Sequence, residues 1–179
     1  MEIKQNISLK DYNTFGFDVE HKGLLEINSE NELLEVIKSQ LSPIKIIGGG
    51  SNILLTQDID GYILHNNIKG IQVTYEDDCH VNVRVGGGES WHEFVLWTLE
   101  HNYGGVENLA LIPGSVGAAP MQNIGAYGVE QNMCFEYLEA IHLASGKKRI
   151  FNNEACAFGY RESVFKKQFK DQFFITYVV

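Results

Sequence analysis

Several common chemistries have no residues to carry them in this 179-residue chain. Cysteine occurs three times, as Cys79, Cys134 and Cys156, widely spaced and without a C-x-x-C pair. That excludes a disulfide framework and a cysteine zinc site, and leaves three reduced thiols of a cytosolic protein as the reading. No two of the six histidines stand three or four residues apart, so helical metal pairs are absent. No segment reads G-x-S-x-G, so a serine hydrolase elbow is missing. Neither G-x-x-x-x-G-K-[ST] nor a completed G-x-G-x-x-G occurs, which removes the P-loop and the Rossmann fingerprint. Basic residues are few, 14 Lys+Arg against 23 Asp+Glu, for a formal net charge of -9. Nucleic acid or an anionic membrane would be repelled. No apolar run is long enough to span a bilayer, and the first ten residues lack a signal-peptide pattern, so the cytoplasm is the expected location.

What is present suffices for a core without staples. A chain of this length buries roughly 70% of its unfolded surface, as one domain or two small ones sharing a core. Ser29 to Glu32 forms a capping box ahead of Leu33, Leu34, Ile37 and Leu41 at helical spacing, so a helix is expected to run to near Ser42-Pro43. IKII (Ile44 to Ile47) reads as a buried strand, broken by GGGSN and resumed as ILL. YILH, GIQVTY and the alternating HVNVRV read as further strands. Ser90 and Glu93 make a second capping box before the amphipathic WHEFVLWTLEHN. YLEAIHL and KKRIF flank Ala-Ser-Gly as a hairpin, NNEACAF is a short helical piece, and FFITYVV is the last strand. The pattern suggests two small α+β subdomains, 1–70 and 71–179. FFITYVV is apolar with no polar tail, which fits either a chain cut from a larger protein or a terminus packed as a central strand.

Three stretches invite a functional reading. GGGSN, Gly48 to Asn52, follows a strand directly; successive glycines let the backbone approach a ligand, and loop N–H groups can converge on an anion. It is a phosphate cradle without lysine, or a plain turn. GGGES, Gly86 to Ser90, opens a helix, but Glu89 would oppose a phosphate there, so a capped structural turn is the reading. The second stretch is LIPGSVGAAPMQNIGAYG, Leu111 to Gly128, with four glycines, three alanines, two of the three prolines and no charge. Irregular backbone this small and apolar is expected where something covers it, such as a flat ring system with a pyrophosphate; the alternative is a buried crossover loop between subdomains. In FGYRESVFK, Arg161 lies between Tyr160 and Glu162; it could grip a carboxylate or phosphate in bidentate fashion, or merely pair with Glu162.

NTFGFDV (Asn13 to Val19), IIGGGSNILL, ENLALIPGSVGAAPMQNIGAYGVE and FGYRESVFK, in that order, resemble the UDP-N-acetylenolpyruvoylglucosamine reductase family, and the type I branch of it. The resemblance covers nearly the whole chain. It implies an α+β FAD-binding domain of the vanillyl-alcohol-oxidase (PCMH) type, made of two small α+β subdomains. Gly48, Gly49, Gly50, Ser51 and Asn52 would contact the pyrophosphate. Ile112, Pro113, Gly114, Gly117, Ala118, Ala119, Asn123, Gly125 and Tyr127 would line the FAD, with Ile175 as a further apolar contact. Arg161 matches the family's catalytic arginine, and Tyr127 and Tyr160 would meet substrate.

The implied reaction is a peptidoglycan-building reduction. NADPH supplies hydride through FAD, and the enolpyruvyl ether of UDP-N-acetylglucosamine accepts it. Arg161 would stabilise charge developing toward the substrate carboxylate. The family carries a further substrate-binding domain, with a proton-donating serine and a late glutamate, beyond the matched region; this chain alone is expected to be inactive. A different flavin oxidase or dehydrogenase on the same scaffold, and a non-catalytic flavin-binding domain, are the competing readings.

Overall fold

The computed structural model describes residues 2–179. A first unit is built from β1 (His21–Ile27), α1 (Glu30–Lys38), β2 (Ile44–Ile47) and β3 (Ile59–Asn66), with β3 pairing parallel to both neighbours in the order β1-β3-β2. Ser29 caps α1 by accepting the Glu32 N–H at 3.2 Å, while the Glu32 carboxylate returns to the Asn28 N–H at 2.8 Å. The helix stops at Lys38, not near Ser42. The Ser39 N–H closes the last turn on Glu35 and Val36, and Leu41 packs on the core from outside the helix.

A second unit holds β4 (Ile71–Glu76), β5 (Val81–Gly86), α2 (Trp91–Glu100), the small hairpin β6 (Gly125–Ala126) with β7 (Val129–Glu130), β8 (Tyr137–His142), β9 (Lys148–Asn152), α3 (Asn153–Cys156) and β10 (Phe173–Val178). Its main sheet runs β4-β5-β10-β8-β9, antiparallel throughout. FFITYVV is therefore the middle strand, which accounts for its apolar character on both faces.

One expected strand is missing. The β2–β3 ladder ends at Ile47↔His65, and Ile53 to Leu55 find no strand to pair with. Ile53 and Leu55 instead pack as loop residues against Leu9, Leu24, Ile47 and Ile63.

The two sheets share a core. Leu33 and Val36 of α1 pack with Leu25, Ile27 and Leu64 of the first sheet and with Ile141 and Phe174 of the second. Polar ties follow the same seam. Asn66 Nδ2 donates to the Ile175 carbonyl at 2.8 Å, and Thr176 Oγ1 donates to Glu30 at 2.8 Å. Lys148 bridges Glu30 at 2.7 Å and Glu139 at 2.9 Å, and Arg84 grips Glu139 at 2.6 Å. No helix among the described residues is long and apolar enough to cross a membrane.

Candidate functional site

The first glycine loop leaves β2 where the ladder ends. Gly50 adopts φ +64, and the space a side chain would need is filled by the Tyr12 carbonyl. The loop is held from behind, since the Thr14 N–H donates to the Gly50 carbonyl at 3.2 Å. Its outer face is free: Gly49, Gly50, Ser51 and Asn52 donate no backbone hydrogen bond to any described residue.

The long neutral stretch is hung on the second glycine loop. The N–H of Trp91, at the start of α2, donates to the Gly114 carbonyl at 3.0 Å. The Val116 N–H donates to Glu89 at 2.9 Å, and the Gly117 N–H to Gly87 at 2.8 Å. GGGES thus works as a structural turn, with Ser90 capping α2 through the Glu93 N–H and the Glu89 carboxylate accepting the Gly70 N–H at 2.7 Å. Pro120 does not prevent a 3-10 helix over Val116–Gln122, which ends on Asn123 in the left-handed region at φ 43.

These two loops face one another. A β-carbon on Gly49 would lie 2.9 Å from the Gly114 Cα, and Asn52 Nδ2 reaches Gln122 Oε1 at 3.1 Å. Between them lies a cleft of about 330 Å³. Phe173 and Ile175 of β10, with Ile124, Phe165 and Phe169, give it an apolar wall. Lys45 and Lys166 also line it, against one carboxylate, Asp171. A strongly acidic chain has therefore made a locally cationic site.

Of the residues expected at the cofactor, Gly48, Gly49, Gly50, Ser51, Asn52, Pro113, Gly114, Gly117, Ala118, Ala119 and Ile175 line this cleft. Ile112, Asn123, Gly125 and Tyr127 do not. Asn123 is fully buried and its side chain is committed: it accepts the Asn132 N–H at 3.1 Å and donates to Glu130 at 2.8 Å and to the Gly159 carbonyl at 3.3 Å. It locks the loop rather than facing the cleft. Gly125, Tyr127, Tyr160 and Arg161 form a second group. Arg161, at φ 55 in a tight turn from Gly159 to Glu162, donates through Nη2 to the Gly125 carbonyl at 2.8 Å. Tyr127 and Tyr160 are 89% and 83% exposed. Glu162 pairs with Lys167, so Arg161 has no carboxylate partner among the described residues. The two groups are joined by Ser163 Oγ, which donates to the Met121 carbonyl at 2.7 Å.

Ser115 was missed by the sequence reading although it sits inside the neutral stretch. It is 6% exposed, lines the cleft, and its Oγ has no hydrogen-bond partner among the described residues. A buried hydroxyl without a partner costs about 1–3 kcal/mol, so such a group points to something that binds there. This orphan hydroxyl, the unpaired loop amides, the lysines and the apolar wall fit a pyrophosphate joined to a flat ring system. Asn66, Lys45 and Phe169 also line the cleft. Their sequence neighbourhoods carry no signal of it: Lys45 reads as an ordinary strand residue, and Asn66 and Phe169 fall outside every segment singled out above.

A family model described as an FAD binding domain matches residues 22–151. A UDP-N-acetylenolpyruvoylglucosamine reductase of Flavobacterium johnsoniae is 49% identical over the whole chain, which covers 53% of that relative. The enzyme of the same name from Amoebophilus asiaticus is 46% identical over 99% of the chain, again covering 53% of the relative. The chain thus spans about half the length of the curated relatives it matches. Among solved structures, the UDP-N-acetylenolpyruvylglucosamine reductase of Thermus caldophilus superposes with a TM-score of 0.76 at 24% identity, covering 99% of this chain and 61% of that one. p-Cresol methylhydroxylase superposes with a TM-score of 0.57 at 11% identity, over 99% of this chain and 37% of the other. At such identities the two superpositions speak to the fold alone, and that fold is the α+β architecture of the vanillyl-alcohol-oxidase type. With its core matched across most of its length, the chain belongs to the FAD binding domain family, and FAD is its cofactor.

Proposed function

We propose that this chain is the FAD-holding part of an NADPH-dependent reductase that converts UDP-N-acetylglucosamine enolpyruvate to UDP-N-acetylmuramate in cell-wall synthesis. The observation that carries the reading is the cleft between the two glycine loops, with its unpartnered Ser115 hydroxyl. The identity to reductases, sustained over the full chain, supports the reaction class. Residues 1–70 and 71–179 act as two FAD-binding subdomains, one glycine loop coming from each. The substrate-binding part belongs to the longer relatives, and the reaction takes place in the cytoplasm.

When bound, FAD supplies the hydride chemistry that no side chain offers. The unpaired amides of Gly49 to Asn52 would hold the pyrophosphate, with Gly48 beside them, and Lys45 would add charge. Pro113, Gly114, Gly117, Ala118 and Ala119 would offer close backbone to the ring system, and Ile175 would add an apolar contact. Ile112, Asn123 and Gly125 support that surface from behind. Arg161, with its guanidinium held by Gly125 but unpaired with any carboxylate, receives the substrate carboxylate, flanked by Tyr127 and Tyr160. A fixed cation placed there favours the transition state, where negative charge grows.

Titrating the purified chain with FAD tests the first half. Quenched flavin fluorescence and a yellow protein after gel filtration are expected; a colourless protein that takes up no FAD overturns the reading. NADPH oxidation by the gene's full product tests the second half. It should depend on the enolpyruvyl substrate, and turnover with a different acceptor only would favour another flavin enzyme on this scaffold.

A further inference from the structure

The first turn of α2 holds the neutral stretch at three points. Trp91 Nε1 donates to the Leu109 carbonyl at 2.9 Å, and the Trp91 N–H donates to the Gly114 carbonyl at 3.0 Å. Between them, the Leu111 N–H donates to His92 Nδ1 at 3.2 Å. Two consecutive residues of one helix thus pin three backbone atoms of the segment that leads into Pro113 and Gly114, which line the cleft.

The middle point differs in kind from the other two. Leu111 adopts φ 61, a left-handed conformation that a leucine rarely takes. Its side chain is 77% exposed, so packing does little to hold it there. Its N–H has no other acceptor among the described residues. The bond also fixes the imidazole. A backbone N–H can only donate, so Nδ1 carries a lone pair and the ring proton sits on Nε2. A doubly protonated ring has no acceptor in either orientation, so protonation of His92 and the bond from Leu111 exclude one another. No ion pair reaches His92 among the described residues. Two 3-10 helices pack on α2, Glu107–Leu109 and Val116–Gln122, and their one charged side chain, Glu107, accepts the Gly105 N–H. Glu89, ahead of the helix, accepts the Gly70 N–H and pairs with Lys69. On α2 and its end, Glu93 and Glu100 are exposed, and His101 stacks on Trp97.

We propose that His92 is a positioning residue for the cofactor loop: its neutral imidazole holds Leu111 in the left-handed turn that sets Pro113 and Gly114 at the cleft, so that protonation of the ring loosens the cofactor. The inference rests on the flavin reading of the cleft. Imidazole ordinarily changes charge between pH 5 and pH 8, so affinity for FAD should fall as pH drops through that range. Two substitutions separate the hydrogen bond from the bulk of the ring. Asparagine offers a carbonyl oxygen near the place of Nδ1 and does not titrate, whereas leucine fills the space and accepts nothing.

Fluorescence titration with FAD at pH 8.0 and pH 5.5 tests this on the gene's full product and its His92→Asn and His92→Leu variants. In the unaltered protein the Kd should rise about fivefold at the lower pH, within the range for losing one hydrogen bond. His92→Asn should bind within about twofold of the unaltered protein at pH 8.0 and keep that affinity at pH 5.5. His92→Leu should bind about fivefold more weakly at both. Amide hydrogen exchange at Leu111 in the FAD-free proteins at pH 8.0 gives a readout that needs no cofactor: it should be slow in the unaltered protein and in His92→Asn, and faster in His92→Leu. An unaltered protein that takes up no FAD overturns the flavin reading, and this inference with it. FAD binding with the same pH dependence in all three proteins overturns the inference alone, as does equal Leu111 exchange in their FAD-free forms.

Discussion

Gly48 and Ser115 are in contact across the floor of the cleft: a β-carbon on Gly48 would overlap the Ser115 hydroxyl, and that hydroxyl has no partner of its own. The missing side chain and the unmet hydrogen bond occupy one spot. Ser115→Ala should therefore have opposite effects on the empty and the loaded protein. Without FAD, removing an unsatisfied buried hydroxyl leaves stability unchanged or raises it by up to about 1 kcal/mol. With FAD, a hydrogen bond worth about 0.5–1.5 kcal/mol is lost, a roughly two- to tenfold weaker affinity. Thermal melts with and without FAD read both signs; an equal shift in both would sink the assignment of Ser115 to the cofactor.

Gly49→Ala meets backbone rather than side chain, with the Gly114 Cα 2.9 Å from the new methyl group. Neither loop can rotate a side chain away, so the loops must part. Overpacking of this kind costs about 1–3 kcal/mol, and FAD affinity should fall at least tenfold. Fluorescence titration checks the affinity, and a urea melt the stability.

Arg161 lies outside the cleft and makes one bond to the loop, at the Gly125 carbonyl. In the gene's full product, Arg161→Ala should leave FAD affinity within about twofold and slow reoxidation of reduced flavin by substrate. A loss of about 100- to 1000-fold is the scale for removing one group that stabilises transition-state charge. Stopped-flow absorbance separates the two effects, and an unchanged reoxidation rate removes Arg161 from the mechanism.

The Glu139 carboxylate is the hub of the ion network behind β10. The hydrogen bond from Arg84 holds its pKa below the ordinary range; burial opposes this, and Lys148 adds to the lowering. A depressed carboxylate contributes stability above its unfolded pKa of about 4.3 and loses it as pH falls through the folded value. Glu139→Gln should cost about 1.5–3 kcal/mol at pH 7, the worth of hydrogen bonds to a charged group. The deficit should shrink as pH drops below about 4.3. Urea melts of both proteins at pH 7 and pH 3.5 give the comparison; a constant gap would detach Glu139 from acid sensitivity.

Burial pushes the Cys156 thiol up to about 12, while Cys79 and Cys134 are exposed. Burial, with Glu107 nearby, also raises Cys134. Iodoacetamide at pH 8 should therefore modify Cys79 first, Cys134 more slowly and Cys156 only in denaturant. Mass spectrometry over time gives the order, and early labelling of Cys156 would show that α3 opens readily.

Much of the scaffold could be read from local chemistry. Ser29, Ser90 and Asn152 cap helices because a side-chain oxygen placed ahead of a helix has one natural partner. The Lys148 strand follows its turn for equally local reasons. HKGLLEI has no clean alternation, so β1 is not legible as a strand; it is made one by β3 and by the bridge from Lys4 to Leu24. Ile53 to Leu55 failed in the opposite way: apolar residues with the right propensity, of which Ile53 and Leu55 pack as loop residues on Leu9, Leu24, Ile47 and Ile63 instead of pairing. At the site, glycine and proline spacing pointed to the covered loop. It could not show that Asn123 turns inward while Ser115 turns to the cleft, since that depends on which neighbours, Glu130 and Asn132 or Gly48, come within reach after folding.

The helix α1 belongs to both sheets at once. Leu33 and Val36 rest on Leu64 on one side and on Phe174 and Ile141 on the other, so the topological boundary near residue 70 is not a seam along which the molecule can be divided. A cut there would leave each fragment with half of a greasy slab and no lid for it. The glycine loops would part with the sheets that carry them. The cleft between the loops is thus a property of the joined halves, inherited together or not at all.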